Sequence, residues 1–173
     1  MPENRDQPDP SVEAQRLAHI RVLNNKLPTK RLIAQGLARN EAGDILLCEL
    51  TYKAAWDLPG GVVDPLESPA TCVSREVHEE LDLRLPAGDL LAVNWLPPYR
   101  GWDDALLCLY DLGTHPSDII DGAQLERREI RSLAWCSLDA LDDRVAAYTA
   151  RMIRSVLATA SGATAYLEDG LAR

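Results

Sequence analysis

Short runs of apolar residues, bounded by Gly, Pro, Asn and Asp, recur through the middle of the chain. Runs of this length, closed by turn residues, are typical of β-strands. The predicted strands cover residues 31–39, 44–50, 90–96, 105–112 and 130–136, with a further short strand after the turn Pro59-Gly60-Gly61 within residues 56–63. The link between the first two strands contains Gly43, which indicates a β-hairpin.

Three other segments carry apolar residues every three or four positions, which is typical of amphipathic helices. They cover residues 11–27, 68–81 and 143–160, and Pro28 ends the first of them. Strands interleaved with helices predict an α/β fold in which helices cover a mixed β-sheet. We divide the chain into an N-terminal tail and extra helix (1–28), one main domain (29–160) and an irregular C-terminal tail (161–173), with residues 1–10 expected to be mobile.

Composition narrows the class of protein. Hydrophobic residues make up 46% and charged residues 26% of the 173 residues, which is ordinary for one globular domain. No apolar run approaches the roughly eighteen residues of a membrane span, and the N-terminus lacks the apolar stretch of a secretion signal. The net charge of −9 argues against a nucleic-acid partner bound through a basic surface, and it suits a site where a cation joins carboxylates to phosphate.

The four cysteines are Cys48, Cys72, Cys108 and Cys136. They lack the close spacing of zinc-binding or redox pairs, and each lies in an apolar segment. Buried, reduced thiols of this kind behave as small apolar side chains. They favour a cytoplasmic location.

The segment 68–81 carries the strongest local signals in the chain. Ser68 is a favourable N-cap, and Pro69 stands at the first helical position, where its missing N–H does no harm. An apolar stripe with helical spacing consists of Ala70, Val73, Val77 and Leu81. We expect this stripe to pack on the sheet.

Three carboxylates share one face of this predicted helix. Glu76, Glu79 and Glu80 are spaced by three and four residues, so at about 100° per residue they project together. Like charges this close repel one another, and a divalent cation among them would relieve the repulsion. A Glu-rich helix face on its own is more often just solvated. The preceding Gly60-Gly61 turn and Glu67 change that interpretation.

Together these residues resemble the Nudix hydrolase signature: a Gly, five residues, a Glu, seven residues, Arg-Glu, an aliphatic and any residue, Glu-Glu, any residue, a Gly and an aliphatic residue. The matching positions are Gly61, Glu67, Arg75-Glu76, Val77, Glu79-Glu80 and Leu83, with Asp82 in place of the second Gly. The resemblance implies a Nudix-like α/β/α sandwich over about residues 31–160. It also implies a Nudix-type pyrophosphohydrolase, which cleaves a phosphoanhydride bond in a nucleoside diphosphate-linked or nucleoside triphosphate small molecule.

The resemblance also implies roles for residues of the helix. Glu76, Glu79 and Glu80 would bind Mg²⁺ or Mn²⁺, and Glu76 or Glu79 would act as the base on the attacking water. Arg75 would orient the glutamates through salt bridges. The second Gly of the signature ends the helix in a left-handed conformation, and Asp tolerates that conformation better than most residues, so Asp82 affects the helix end more than metal binding.

Further metal contacts are implied outside the helix. The Gly61 carbonyl would complete the coordination, and Glu67 would support the loop or bind the metal through water. The family often adds a Glu from a later loop. Here the candidates are Glu126 and Glu129, and we assign Glu129, next to the strand that follows.

The loop between the predicted strands 90–96 and 105–112 is a candidate for substrate binding. Tyr99 and Trp102 could stack on a base, and Arg100 could hold a phosphate, with Trp56 lining the same cleft. The alternative is a stiff loop beside a core Trp95. In the family, proline at the subgroup position indicates ADP-ribose-like substrates and tyrosine indicates dinucleoside polyphosphates. Both residue types stand here, so neither class is selected.

Three other functions stay open on sequence alone. One is a Nudix-like nucleotide sensor with weak catalysis, which the intact carboxylates argue against. Another is isomerase chemistry on an isoprenoid diphosphate, which needs a catalytic Cys that nothing here marks. The third is a purely structural domain. The expected partner is a small nucleotide-like substrate, without nucleic acid or membrane, and the helix at 11–27 could exchange with a second subunit in a homodimer.

Overall fold

One mixed β-sheet organises the chain in a computed structural model that describes residues 10–160 and 162–173. The predicted tail at residues 1–10 lies outside the described residues, except for Pro10, where the first helix begins. The helices are α1 (Pro10–Lys26), α2 (Pro69–Leu81), α3 (Leu141–Arg144) and α4 (Ala147–Ala158). The strands are β1 (Arg31–Asn40), β2 (Ile45–Leu50), β3 (Gly60–Val62), β4 (Leu90–Leu96), β5 (Ala105–His115), β6 (Ile130–Cys136), β7 (Ala165–Glu168) and β8 (Leu171–Ala172).

The strand order within the described residues is β6-β2-β1-β5-β4-β7-β8, and β3 pairs with β1 beside that path. The pairs β1–β5 and β4–β7 are parallel, whereas the remaining pairs are antiparallel. The predicted mixed sheet is therefore confirmed. The β1–β2 hairpin predicted around Gly43 is present, and Gly43 takes a positive φ of 85° in its turn.

Helices cover both faces of the sheet, so the predicted α/β/α sandwich is also confirmed. On one face, Val73 and Val77 of α2 pack with Ala34 and Leu46 of the sheet. We call this the α2 face. On the opposite face, which we call the α4 face, α4 packs on Leu37 of β1 and the strands beside it. Successive β1 residues point to alternate faces, so the strand supplies both cores.

The C-terminal half differs from the prediction in two places. The single helix expected at 143–160 is two helices, because Val145 is extended, buried and paired with Trp56. The expected irregular tail at 161–173 is wrong, since β7 and β8 extend the sheet beyond β4. Burial of Leu167 in the core of the α4 face stabilises that pairing, and residues 165–172 belong with the sheet.

The N-terminal helix is present as predicted, and it lies outside both core clusters. Most of its apolar side chains, such as Val12, Leu17 and Leu23, are exposed. The boundary at residue 28 stays a prediction. Among the described residues, no helix has the length and apolar character needed to cross a membrane.

Candidate functional site

Helix α2 forms where its sequence signals predict. The Ser68 Oγ accepts a hydrogen bond from the Thr71 N–H at 3.2 Å, and Pro69 begins the helix. Cys72, Val73, Val77 and Leu81 are buried against the sheet. This packing fixes the rotation of α2 about its axis. The glutamates beside the buried stripe therefore face β3.

Asp82 closes α2 in the left-handed conformation, with φ 53° and ψ 28°. Its backbone N–H donates to the carbonyl of His78 at 2.9 Å. The residue thus adopts the conformation for which the signature uses glycine.

We expect Asp82→Ala to lower the free energy of unfolding by about 1 kcal/mol, because Ala lacks the local hydrogen bonding that makes a left-handed Asp tolerable. Asp82→Gly should be neutral or stabilising by about 0.5 kcal/mol, since Gly has no Cβ penalty there but loses more chain entropy. Urea unfolding measures both variants. A clear loss of stability in Asp82→Gly would show that the Asp side chain itself supports the helix end.

Arg75 connects the acidic residues of the site. Its guanidinium donates to Glu67 at 2.8 and 3.0 Å and to Glu79 at 2.8 Å, and it lies 3.0 Å from Glu76. These bonds lower the pKa of Glu67 to about 2. The predicted orienting role of Arg75 is supported by this geometry, because one rigid cation fixes three carboxylates.

Glu76 lies against the signature glycine. An added Cβ on Gly61 would stand 2.5 Å from the Glu76 Oε1, so only glycine leaves room for the carboxylate there. The Glu76 side chain is 16% exposed, and burial raises its pKa against the opposing charge of Arg75. Glu79, by contrast, is 57% exposed at the mouth of the site.

Glu80 is the most buried carboxylate of the three. It is 6% exposed, and its Oε2 accepts a hydrogen bond from the Gly60 N–H at 3.4 Å. Burial raises the pKa of Glu80 to about 8, and the nearby charges of Glu76 and Glu129 add to the effect. The site therefore holds more negative charge than its one arginine offsets.

Glu80 gives the metal-free protein a specific pH dependence. Because its pKa is about 8 in the folded state and 4.5 without burial, the folded state binds the proton more tightly. The unfavourable contribution of the Glu80 charge to the free energy of folding is absent below pH 4.5. It grows between pH 4.5 and 8 and is complete above pH 8. In EDTA, we expect the melting temperature of wild type to fall more steeply across this range than that of Glu80→Gln. Parallel curves would contradict the assignment.

The loop before β6 lies on the end of α2. The backbone N–H groups of Gln124 and Glu126 donate to the carbonyls of Leu81 and Glu80 at 3.0 and 2.9 Å. The charge of Glu129 contributes to the raised pKa of both Glu76 and Glu80. The Glu126 side chain instead accepts from the Arg128 N–H of its own loop. Of the two candidates, the structure brings Glu129 toward the cluster.

The donor set of this site fits Mg²⁺ or Mn²⁺. Its ligands are hard carboxylate oxygens, and two of them, on Glu76 and Glu80, are buried with raised pKa values and too little positive charge nearby. Within residues 10–160 and 162–173, no three His, Cys, Asp or Glu side chains form a ready-made metal cage, and the carboxylates converge on Arg75 instead. A cation would therefore bind with rearrangement of the Arg75 contacts.

Three of the candidate substrate residues, Tyr99, Arg100 and Trp102, lie in the connection between β4 and β5. Arg100 and Gly101 form a two-residue turn with positive φ, in which Tyr99 and Trp102 exchange backbone hydrogen bonds at 3.0 Å. The Arg100 guanidinium lies 5.1 Å from the Tyr99 ring. Trp56 packs against the core of the α4 face, separately from this turn.

Three functional candidates escaped the sequence prediction. Arg31 lies 4.6 Å from the Trp102 ring, Arg144 lies 5.0 Å from the Trp56 ring, and the buried Asp57 pairs with Lys53 at 2.5 Å. Both cation–aromatic contacts join residues far apart in the chain, so no local spacing could reveal them. Of these three contacts, only the Lys53–Asp57 pair has a signal in the sequence, which is its four-residue spacing.

The cysteines are all free, as expected, and burial raises the pKa of each of them. Cys72 lies nearest the site, with its Sγ 3.6 Å from Arg75, yet its pKa is raised to about 12. A thiol held protonated is a poor nucleophile or acid–base group near neutral pH. This argues against the isomerase alternative.

Comparison with known proteins gives a consistent result. The model of the NUDIX domain family matches residues 29–156. A MutT-like protein of Streptomyces ambofaciens is 28% identical over 127 residues, which cover 73% of this chain and 77% of that protein.

Two solved structures show the same fold. The MutT protein from Methanosarcina mazei Go1 is 26% identical, with a TM-score of 0.64 over 76% of this chain and 96% of that chain. A UDP-X diphosphatase is 19% identical, with a TM-score of 0.67 over 93% of this chain and 76% of that chain. The second match covers a larger share of this chain than residues 29–173 make up, so it includes part of α1.

Proposed function

The chain belongs to the Nudix domain family and is a Nudix-type pyrophosphohydrolase, and from this premise we propose that it performs metal-dependent hydrolysis of a phosphoanhydride bond in a nucleoside diphosphate-linked or nucleoside triphosphate small molecule. The observation that carries the proposal is the arrangement on α2, where Arg75 holds Glu67, Glu76 and Glu79 beside the Gly60-Gly61 turn. A purely structural role does not explain this arrangement, because like charges held close together lower the stability of the fold.

The residues of α2 divide the chemical work. The cation Mg²⁺ or Mn²⁺ would be held by Glu76, Glu79 and Glu80. The Gly61 carbonyl, Glu67 and Glu129 would complete its surroundings. When bound, the cation neutralises charge on the phosphoryl oxygens and makes water more acidic. Glu76 or Glu79 takes the proton of the attacking water, and Arg75 keeps that carboxylate oriented.

Substrate contacts are assigned to Trp56, Tyr99, Arg100 and Trp102. We expect Arg100→Ala and Trp102→Ala each to raise KM by about tenfold while kcat changes less than threefold, because stacking and charge at a remote part of the substrate bind ground and transition states alike. Steady-state kinetics test this expectation, with the exposed Tyr166→Ala as a control outside the loop. Unchanged KM in both variants would remove the loop from the site.

Several classes of small-molecule substrate are candidates. The Streptomyces relative is MutT-like and one structural neighbour is a UDP-X diphosphatase, so both a nucleoside triphosphate and a nucleotide sugar are candidates. The prolines and Tyr99 of the loop add ADP-ribose and dinucleoside polyphosphates to these candidates. We also propose a cytoplasmic location, which the four free cysteines support, and assembly as a homodimer.

A mass-spectrometric product screen tests the function. The protein is incubated with nucleoside triphosphates, oxidised nucleotides, ADP-ribose, nucleotide sugars and dinucleoside polyphosphates, with Mg²⁺ and then Mn²⁺, and Glu79→Gln serves as the blank. Metal-dependent cleavage that is absent from the blank supports the proposal, and the products identify the bond. Tight binding of one compound without cleavage of any would instead support a nucleotide sensor.

A further inference from the structure

A cavity of about 300 Å³ lies on the α4 face, between β2, β6 and α3. It contains none of the carboxylates of α2, and neither the reaction nor the β4–β5 loop accounts for it. Six of the residues that line it are Asp44, Leu47, Trp56, Ser137, Ala140 and Arg144. One wall is therefore aromatic, the strands contribute apolar side chains, and charged and hydroxyl groups are also present.

Arg144 and Trp56 are joined by the backbone as well as by their side chains. The Trp56 N–H donates to the Arg144 carbonyl at 2.9 Å, and the next residue, Val145, forms a bridge with Trp56. The Arg144 guanidinium lies 5.0 Å from the centre of the Trp56 ring. The fold therefore keeps this aromatic surface and this cation together at the cavity.

The charge of Arg144 is not neutralised by an ion pair. None of the ion pairs among the described residues includes it, although the chain has a net charge of −9. Its side chain is exposed, so it can turn away from Trp56 at little cost. An exposed cation without an ion pair, beside an aromatic ring, suits a ligand with a planar part and an anionic part.

The cavity is connected to the catalytic turn by a short, well-anchored segment. Asp57, next to Trp56, exchanges backbone hydrogen bonds with Cys48 at 2.8 and 3.0 Å. Gly60 and Gly61 then pair with β1, and Gly61 touches Glu76. Five residues of chain span at most about 17 Å. Trp56, at the cavity, therefore lies within that distance of Gly61, which is in contact with Glu76.

We propose that this cavity binds the nucleobase of the substrate, an inference that rests on the proposed function. The base takes the place of the Arg144 guanidinium on the Trp56 ring, and the displaced guanidinium pairs with a phosphate of the same ligand. The Asp44 carboxylate and the Ser137 hydroxyl supply acceptors for N–H groups on the edge of the base. Trp56 and Arg144 thereby determine specificity, while the β4–β5 loop contacts the rest of the substrate.

Binding of hydrolysis products tests the proposal without any turnover. AMP, GMP, CMP, UMP and ribose 5-phosphate, which lacks a base, are titrated calorimetrically into the metal-free full-length protein. We expect at least one nucleotide to bind about tenfold more tightly than ribose 5-phosphate. Trp56→Leu should abolish that preference. Arg144→Gln should weaken the nucleotide about tenfold but leave the matching nucleoside unchanged, and Arg16→Gln, an equal charge change on α1, should have no effect.

Several outcomes would overturn the proposal. One is equal binding of ribose 5-phosphate and all four nucleotides. Another is a preference for a nucleotide that survives in Trp56→Leu. If that preference is also lost in Trp102→Leu, the base binds in the β4–β5 loop instead. Circular dichroism and melting temperature establish whether each variant is folded. If Trp56→Leu does not fold, nucleotide binding by Arg144→Gln, an exposed substitution, tests the proposal. Cleavage in the product screen is scored separately, so the function can stand when this inference fails.

Discussion

Glu79→Gln and Glu76→Gln are each expected to lower turnover by at least about a hundredfold, with the fold intact. A positioned base contributes about 10²- to 10⁴-fold to a hydrolysis, and the amide that replaces it can neither take a proton nor bind a cation strongly. The fold should survive because Glu79 is largely exposed and because Gln keeps nearly the size and shape of the Glu side chain at both positions. Near-wild-type turnover in both variants would refute the assignment.

The same two variants can separate the base from a pure metal ligand. Loss of a ligand raises the Mg²⁺ concentration needed for half-maximal rate, whereas loss of the base lowers kcat even at saturating Mg²⁺. Glu168→Gln provides the matched control, because Glu168 also pairs with an arginine, Arg173, but lies on β7 away from α2. Its kcat should stay within about twofold of wild type, since it lacks contact with the reacting groups.

The helix of the site could be predicted from sequence because its determinants are local. Ser68, Pro69 and the apolar stripe specify where α2 begins and which side it buries, and Arg75 and the glutamates follow at fixed spacing. A helix converts such spacing directly into geometry. The contact of Arg75 with Glu79 is therefore one that the resemblance implied, whereas its contact with Glu67, eight residues away, was not predicted.

The elements that could not be predicted depend on partners far away in the chain. Val145 leaves helical geometry because it is buried and pairs with Trp56, and this overrides the helical pattern of residues 143–160. The strand β7 exists because β4 offers it a free edge, which a Gly-containing terminal sequence does not reveal. The cavity beside Arg144 arises from the same long-range pairing, so sequence patterns gave no indication of it.

Replacing each glycine of the Gly60-Gly61 turn by alanine should give opposite results. Gly60 has φ +133°, and a Cβ there would lie 2.2 Å from the Ala34 carbonyl oxygen and 2.8 Å from the Gln35 Cα. Both atoms belong to the backbone of β1 and cannot move aside locally. Strain and overpacking add, so Gly60→Ala should lose at least about 3 kcal/mol of stability, measured by urea unfolding.

Gly61→Ala should spare the fold and damage catalysis instead. Its Cβ would meet the Glu76 carboxylate at 2.5 Å, which is the end of a flexible side chain that can swing away. Stability should change by less than about 1 kcal/mol, whereas kcat should fall at least about tenfold, because displacement of a catalytic group by about 1 Å can cost a factor of a hundred.

Gly43→Ala serves as the control for both glycine variants. Gly43 has φ +85° with nothing within 4 Å of an added Cβ, so it reports the backbone penalty alone, about 1 kcal/mol, with activity unchanged. If Gly61→Ala keeps wild-type kcat, the position of Glu76 does not matter to the reaction. In that case the catalytic role falls to Glu79 and Glu80, and the contact between Gly61 and Glu76 is only a matter of packing.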